Sequence, residues 1–172
     1  MRVVRVTDSE PGARLAQGTA PEPSPGKFEL LIRVCAAGII PTELGWYPTT
    51  HTKSGDPRLG AIPSHEFSGV VEGVAPGVTI VRPGEAVYGL CSFNRNGSAA
   101  EYLAVRADGL APKPATLDHV AAASVPLAAL TAFSFQDKIR MGNMDYFVKI
   151  LKIQKTLGKG LLLVEARMVS VI

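Results

Sequence analysis

The side chains best equipped for proton chemistry are neighbours in the chain: His65 and Glu66, within Ile62-Pro63-Ser64-His65-Glu66-Phe67. Histidine exchanges a proton near neutrality without a large pKa shift, so His65 is a candidate acid, with Glu66 beside it as a second proton carrier. Two readings stay open. Either both side chains are buried and satisfy backbone groups, or His65 lines a pocket as a polar group that orients a ligand. His51 and His119 lie among polar neighbours and read as surface residues. Cys35 and Cys91 are too few for a structural zinc framework and read as small buried hydrophobes. Gly158-Lys159-Gly160 has two spaced glycines, as a dinucleotide fingerprint has. It lacks the third glycine, a preceding apolar strand and an acidic residue about 20 positions on, so no complete nucleotide site is expected.

These residues must be positioned by a chain of 172 residues, 47% hydrophobic and 19% charged, with a formal charge of +3. That is the composition of one soluble globular domain, and a chain this long buries about 70% of its unfolded surface without help from metal or disulfides. No run approaches the roughly 18 apolar residues of a membrane span, and Met1 to Thr7 lacks the order of a signal peptide, so a cytoplasmic location and no membrane partner are expected. The charge is uneven. Residues 1–132 carry 11 Lys and Arg against 12 Asp and Glu; residues 133–172 carry 7 against 3. All 13 prolines and 14 of the 17 glycines also fall before Phe133. The chain divides at 132 into a main domain, 1–132, and an atypical tail, 133–172.

In the main domain, short runs rich in Val, Ile, Leu and Phe predict strands at Met1 to Val6, Phe28 to Ala36, Glu66 to Val74, Ala86 to Leu90 and Ala99 to Val105. Pro76-Gly77, Arg82-Pro83-Gly84 and Asn96-Gly97 mark turns between them, and the three prolines of Pro21 to Pro25 make a surface connection. Many short strands with Gly and Pro punctuation mean a mainly β barrel or sandwich. Asp118 is placed to cap a helix through Val120-Ala121-Ala122-Ala123.

Ala36-Ala37-Gly38-Ile39, Ile62 through Val71, Val81-Arg82-Pro83-Gly84-Glu85-Ala86-Val87-Tyr88-Gly89, Gly97-Ser98-Ala99-Ala100-Glu101-Tyr102 and Ala111-Pro112-Lys113-Pro114 follow one another in the order of the signatures of the medium-chain dehydrogenase/reductase superfamily, which this chain resembles. Pro41-Thr42-Glu43-Leu44, Trp46-Tyr47-Pro48-Thr49 and Val125 through Ala132 resemble its zinc-independent quinone oxidoreductase branch. The resemblance implies a GroES-like, partly open β-barrel and hydride transfer from NADPH to a small carbonyl, enone or quinone. The family's catalytic zinc uses a Cys at the position held here by Ile40, so His65 and Glu66 are too few ligands and no zinc is expected. Thr42 stands where zinc-containing relatives have the hydroxyl that starts a proton relay; without a metal to acidify a bound alcohol, the resemblance implies a hydrogen bond to a substrate oxygen, and the other reading is a turn threonine. Ile40, Trp46 and Tyr47 border the implied substrate cleft, the two aromatics either shaping it or packing on the barrel wall. Thr131 stands where the family places a residue against the nicotinamide, which matters only if a nucleotide domain is supplied.

In the tail, Phe147, Ile150, Leu151 and Leu157 share a face at helical spacing, with Lys149, Lys152 and Lys155 opposite. This predicts an amphipathic helix over 144–157, followed by a strand over 161–166, both packing on the barrel. The lysines read as a solvated face, and no nucleic-acid partner is expected. The expectation is therefore a catalytic-type domain that binds a carbonyl or quinone-like ligand, forms a homodimer and binds neither NADPH nor zinc alone. Two alternatives remain: a cofactor-independent acid/base enzyme, such as a cyclase, isomerase or dehydratase, using His65 with Glu66 or Thr42; and a non-catalytic dimerising or partner-binding module, which dimerises or pairs with a full-length relative.

Overall fold

The computed structural model describes residues 1–7 and 15–131, together with the backbone of 146–155 and 162–170. Its strands are β1 (Arg2–Val6), β2 (Leu15–Thr19), β3 (Glu29–Gly38), β4 (Glu66–Val74), β5 (Ala86–Leu90), β6 (Tyr102–Arg106), β7 (Leu110–Pro112), β8 (Tyr146–Lys155) and β9 (Leu162–Ser170). Five of them form one antiparallel sheet in the order β6-β3-β4-β5-β7, and β1 pairs with β2 in a second sheet. The sheets meet at the bridge Val3↔Ala100 without closing a full barrel.

Burial explains the central strands. Leu30 and Ile32 of β3 are fully buried on one side, with Arg33 exposed on the alternate one. They join Phe67 and Val71 of β4, Val87 of β5, Leu103 and Val105 of β6, Val81 and Cys91 in a single core. Removing each large side chain from water contributes about 1.5–3 kcal/mol, which makes this cluster the main support of the site beside it. Gly77 and Gly84 adopt φ of 92° and 90°, the left-handed conformation that makes Pro-Gly a turn, so two of the expected turns form for the expected reason.

Helix α1 (Tyr47–Thr50) follows a 3-10 turn at Pro41–Gly45, and α2 (His119–Ala123) begins where expected, with Asp118 Oδ1 accepting from the Ala121 N–H at 2.7 Å. Residues 126–131 are also helical. Strands β2 and β7 lie outside the sequence expectation; each is short and gains its order from the strand it pairs with, β1 and β5 respectively.

The tail differs from its prediction. Residues 146–155 form strand β8, antiparallel to β9 from Tyr146↔Ser170 to Lys155↔Leu162, where a helix over 144–157 was predicted. Tyr146, Phe147, Val148, Ile150 and Ile153 are good strand formers, and pairing with β9 outweighs the helical period they also satisfy. The predicted strand at 161–166 falls on β9 over 162–166, and β9 runs on to Ser170. The expected packing of the tail on the barrel depends on side chains outside the described residues.

Candidate functional site

Ser64 anchors the site. It adopts φ of 72°, a left-handed conformation costing a non-glycine residue on the order of 1 kcal/mol, and its surroundings compensate for it. Its N–H donates to Glu43 Oε1, and its hydroxyl lies 2.8 Å from Gly38 O, 3.1 Å from Glu66 O and 2.6 Å from Ser98 Oγ. The Asn96-Gly97 segment lies directly against it: Gly97 N–H donates to Ile62 O at 2.7 Å, and Ser98 N–H to Ser64 O at 2.6 Å. A Cβ on Gly97 would sit 2.0 Å from Ser64 O, so glycine is required there by close approach.

This backbone fixes His65 with 2% exposure. Its ring packs against Phe93, centroids 4.6 Å apart; Cys91 Sγ lies 3.7 Å from Nδ1, and Glu43 Oε1 lies 3.7 Å from Nε2. Nε2 is buried without a hydrogen-bond partner in this structure. Burial, reinforced by the Arg58 charge, pushes the imidazole down to about 4, so it is neutral near pH 7. Burial pushes the Glu43 carboxyl up to about 7, against the N–H bonds it accepts. The Cys91 thiol is pushed up to about 12, again mainly by burial.

Glu66 is one residue further along, and strand alternation sends its side chain elsewhere. Its Oε1 accepts from the Leu127 N–H at 2.8 Å, tying β4 to the 126–131 helix, and burial holds its carboxyl above the usual range. It thus serves as a joint between elements, outside the His65 contacts. Trp46 is half-buried and meets Phe93 edge-on, centroids 5.9 Å apart. Ile40 is half-buried nearby in sequence, and Thr42 is exposed. Tyr47 is 60% exposed and stacks on His51 at 4.6 Å. Thr131 is exposed at the end of the described main segment.

The structure thus unites Glu43, Trp46, His65, Cys91 and Phe93. Sequence reasoning missed Glu43 and Phe93. Three surface or core readings are corrected. His51 is half-buried, its Nδ1 2.9 Å from Oγ1 of its chain neighbour Thr50, and His119 is half-buried, its Nδ1 2.8 Å from Oγ of Ser68 on β4, a contact that only the fold brings about. Cys35 is exposed, because it takes the outward position of β3.

A tetrahedral zinc needs three protein ligands. Ile40 offers none, Glu66 Oε1 is engaged by Leu127, and among the described residues no three His, Cys, Asp or Glu side chains converge to hold a metal ion. The donor set does not fit zinc. A nicotinamide dinucleotide needs a βαβ unit with a helix N-terminus at its pyrophosphate, whereas every strand pair described here is antiparallel. The described residues do not form that cradle. No helix among them is long and apolar enough to cross a membrane.

Residues 26–115 match the family described as the alcohol dehydrogenase GroES-like domain. The chain is 32% identical over 161 residues to the "Probable zinc-binding oxidoreductase, mitochondrial" of Arthroderma benhamiae, covering 90% of this chain and 47% of that protein. It is 32% identical over 134 residues to the quinone oxidoreductase of Rattus norvegicus, covering 77% and 39% respectively. The solved quinone oxidoreductase of Coxiella burnetii superposes with a TM-score of 0.70 at 26% identity, over 81% of this chain and 45% of that one. The chain therefore spans less than half the length of these relatives. Its ordered signatures, its antiparallel fold and these matches agree that the chain belongs to the alcohol dehydrogenase GroES-like domain family, within the medium-chain dehydrogenase/reductase superfamily.

Proposed function

We propose that this oxidoreductase-type domain binds a small carbonyl, enone or quinone-like ligand in the cleft bordered by Ile40, Thr42, Trp46 and Tyr47, next to the buried Glu43–His65 pair. The observation that carries this reading is the edge-to-face Trp46–Phe93 contact packed against the His65 ring. It forms an aromatic wall suited to a flat ligand, with the exposed Thr42 hydroxyl available to donate to a ligand oxygen. His65 acts here as a neutral, buried positioning group, since 2% exposure keeps it from direct contact with bulk substrate. The same burial argues against a cofactor-free acid/base enzyme centred on His65.

NADPH, when bound, supplies hydride in this superfamily. We propose that the residues described here do not hold it and that the domain works without zinc; the antiparallel sheets and the donor set at Ile40, His65 and Glu66 support both statements. Thr131 is the residue the family resemblance sets against the nicotinamide where a nucleotide domain is present. We further propose that the chain self-associates as a homodimer, which light scattering of the purified protein over a concentration series tests.

Trp46 is the single tryptophan, so its fluorescence reports on the cleft directly. Titration with a naphthoquinone should give saturable quenching that weakens in Tyr47→Ala and Thr42→Val. Linear, non-saturating quenching, equal in all three proteins, would mean that no such site exists. A parallel NADPH titration should show no saturable binding.

A further inference from the structure

A hollow of about 500 Å³, within the range of small-molecule sites, lies outside the Glu43–His65 cluster. Its lining includes Arg5, Arg58, Arg95, Asn96, Ile62 and Tyr102, and among the described residues no Asp or Glu. Arg95 is neutralised by an ion pair with Glu29. Among the described residues the other two arginines have only neutral partners. Arg5 donates from Nη1 to Gly60 O at 2.7 Å and from Nη2 to Thr19 O at 3.0 Å. Arg58 is half-buried and donates to Pro48 O, to Phe93 O at 3.4 Å and, through Nη2, to Asn96 Oδ1 at 3.4 Å.

These contacts fix the two guanidiniums without discharging them. A guanidinium has five N–H donors in a planar fork, so each keeps donors in reserve after its carbonyl bonds are made. Asn96 completes the arrangement. Its Oδ1 accepts from Arg58 and, at 3.2 Å, from the Ile62 N–H, which leaves its amide nitrogen as a further donor. Two uncompensated cations held by backbone carbonyls, with an amide donor beside them and Ile62 and Tyr102 in the wall, make an electropositive, partly apolar hollow of ligand size. Three exposed arginines differ from these two: Arg2, Arg33 and Arg106 each pair with a carboxylate.

We propose that the hollow bounded by Arg5, Arg58 and Asn96 is a binding site for the oxyanion group, phosphate or carboxylate, of a small organic anion. The guanidiniums take the anion by charge-assisted hydrogen bonds, Asn96 donates to a third oxygen, and Ile62 and Tyr102 receive the ligand's apolar part.

Calorimetric titration of the full chain at low ionic strength tests this with two probes, inorganic pyrophosphate and citrate. Saturable binding of one anion per chain is expected for at least one probe, and which one binds tells phosphate from carboxylate. Affinity should fall about tenfold or more in Arg5→Gln and in Arg58→Gln, less in the corresponding Lys variants, and not at all in Arg106→Gln. Because Arg58 also holds two backbone carbonyls, a second measurement needs no variant. In amide NMR spectra of the parent protein the anion should shift the Asn96 side-chain and Gly97 backbone signals. The proposal is overturned if neither probe saturates, if Arg106→Gln loses as much affinity as the other two variants, or if the shifts gather elsewhere, for example around Gly89 and Ala129 on another hollow of the domain.

Discussion

Glu43 Oε1 and His65 Nε2 face each other at 3.7 Å, with both side chains only 2% exposed. The pair is a buried acid opposite a buried base, and burial opposes the charged form of each, driving their pKa values in opposite directions.

Stability should record this as a cancellation. Glu43 titrates at about 7 when folded against 4.5 ordinarily, so its contribution is complete below pH 4.5 and is lost as pH rises through 7. His65 titrates at about 4 against 6.5, so its contribution is complete above pH 6.5 and is lost as pH falls through 4. Between pH 4.5 and 6.5 the two slopes oppose. Glu43→Gln keeps an acceptor for the Ser64 N–H and removes one slope. Urea unfolding should then show the variant gaining roughly 2 kcal/mol relative to the parent from pH 4.5 to 6.5. A difference that stays constant across that window would contradict the assignment.

The two thiols should behave differently. Cys35 is exposed, while Cys91 is buried with its thiol pushed up to about 12. At pH 8 a disulfide reagent should titrate one thiol per native chain and two after denaturation; rapid reaction of both in the native protein would refute the burial of Cys91.

Two glycines give a matched comparison. A Cβ at Gly97 would meet Ser64 O at 2.0 Å and Pro63 O at 2.4 Å, whereas at Gly45 it meets nothing within 4 Å. Gly97→Ala should cost about 3 kcal/mol and shift the thermal midpoint accordingly, with Gly45→Ala close to neutral. Equal melting of the two variants would mean that the 62–64 and 96–98 segments are not in contact.

Glu66 is read here as a joint, and its amide variant separates that role from catalysis. Glu66→Gln retains an acceptor for Leu127 and should leave both stability and quinone quenching of Trp46 nearly unchanged. Glu66→Ala leaves that N–H unpaired, at a cost of about 1–3 kcal/mol, and should open the 126–131 helix to proteolysis. Loss of ligand binding in Glu66→Gln would restore a catalytic role.

Much of this was legible in the residues. β4 and β5 begin and end where predicted, because Glu66 to Val74 and Ala86 to Leu90 are apolar runs bounded by Pro and Gly turns. Asp118 caps its helix as its position predicts. Glu43 was not legible. A lone glutamate in a Pro-Thr-Glu-Leu turn reads as exposed, and its burial follows only from Ser64, 21 residues away, folding over it. Phe93 likewise looks like a loop residue until Trp46 and His65 are seen on either side. Residues 146–155 satisfy both helical and strand patterns, and only the pairing with β9 decides between them.

The five-stranded sheet has one further consequence, at the margin where β7 lies. That strand is three residues long and ends in Pro112, which has no N–H to offer an incoming chain, with Pro114 two positions on. Such a blunted border resists the templated addition of foreign strands that leads to fibres. Copies of this domain that meet at this border must therefore do so through side chains, leaving the β7 side of the sheet unextended.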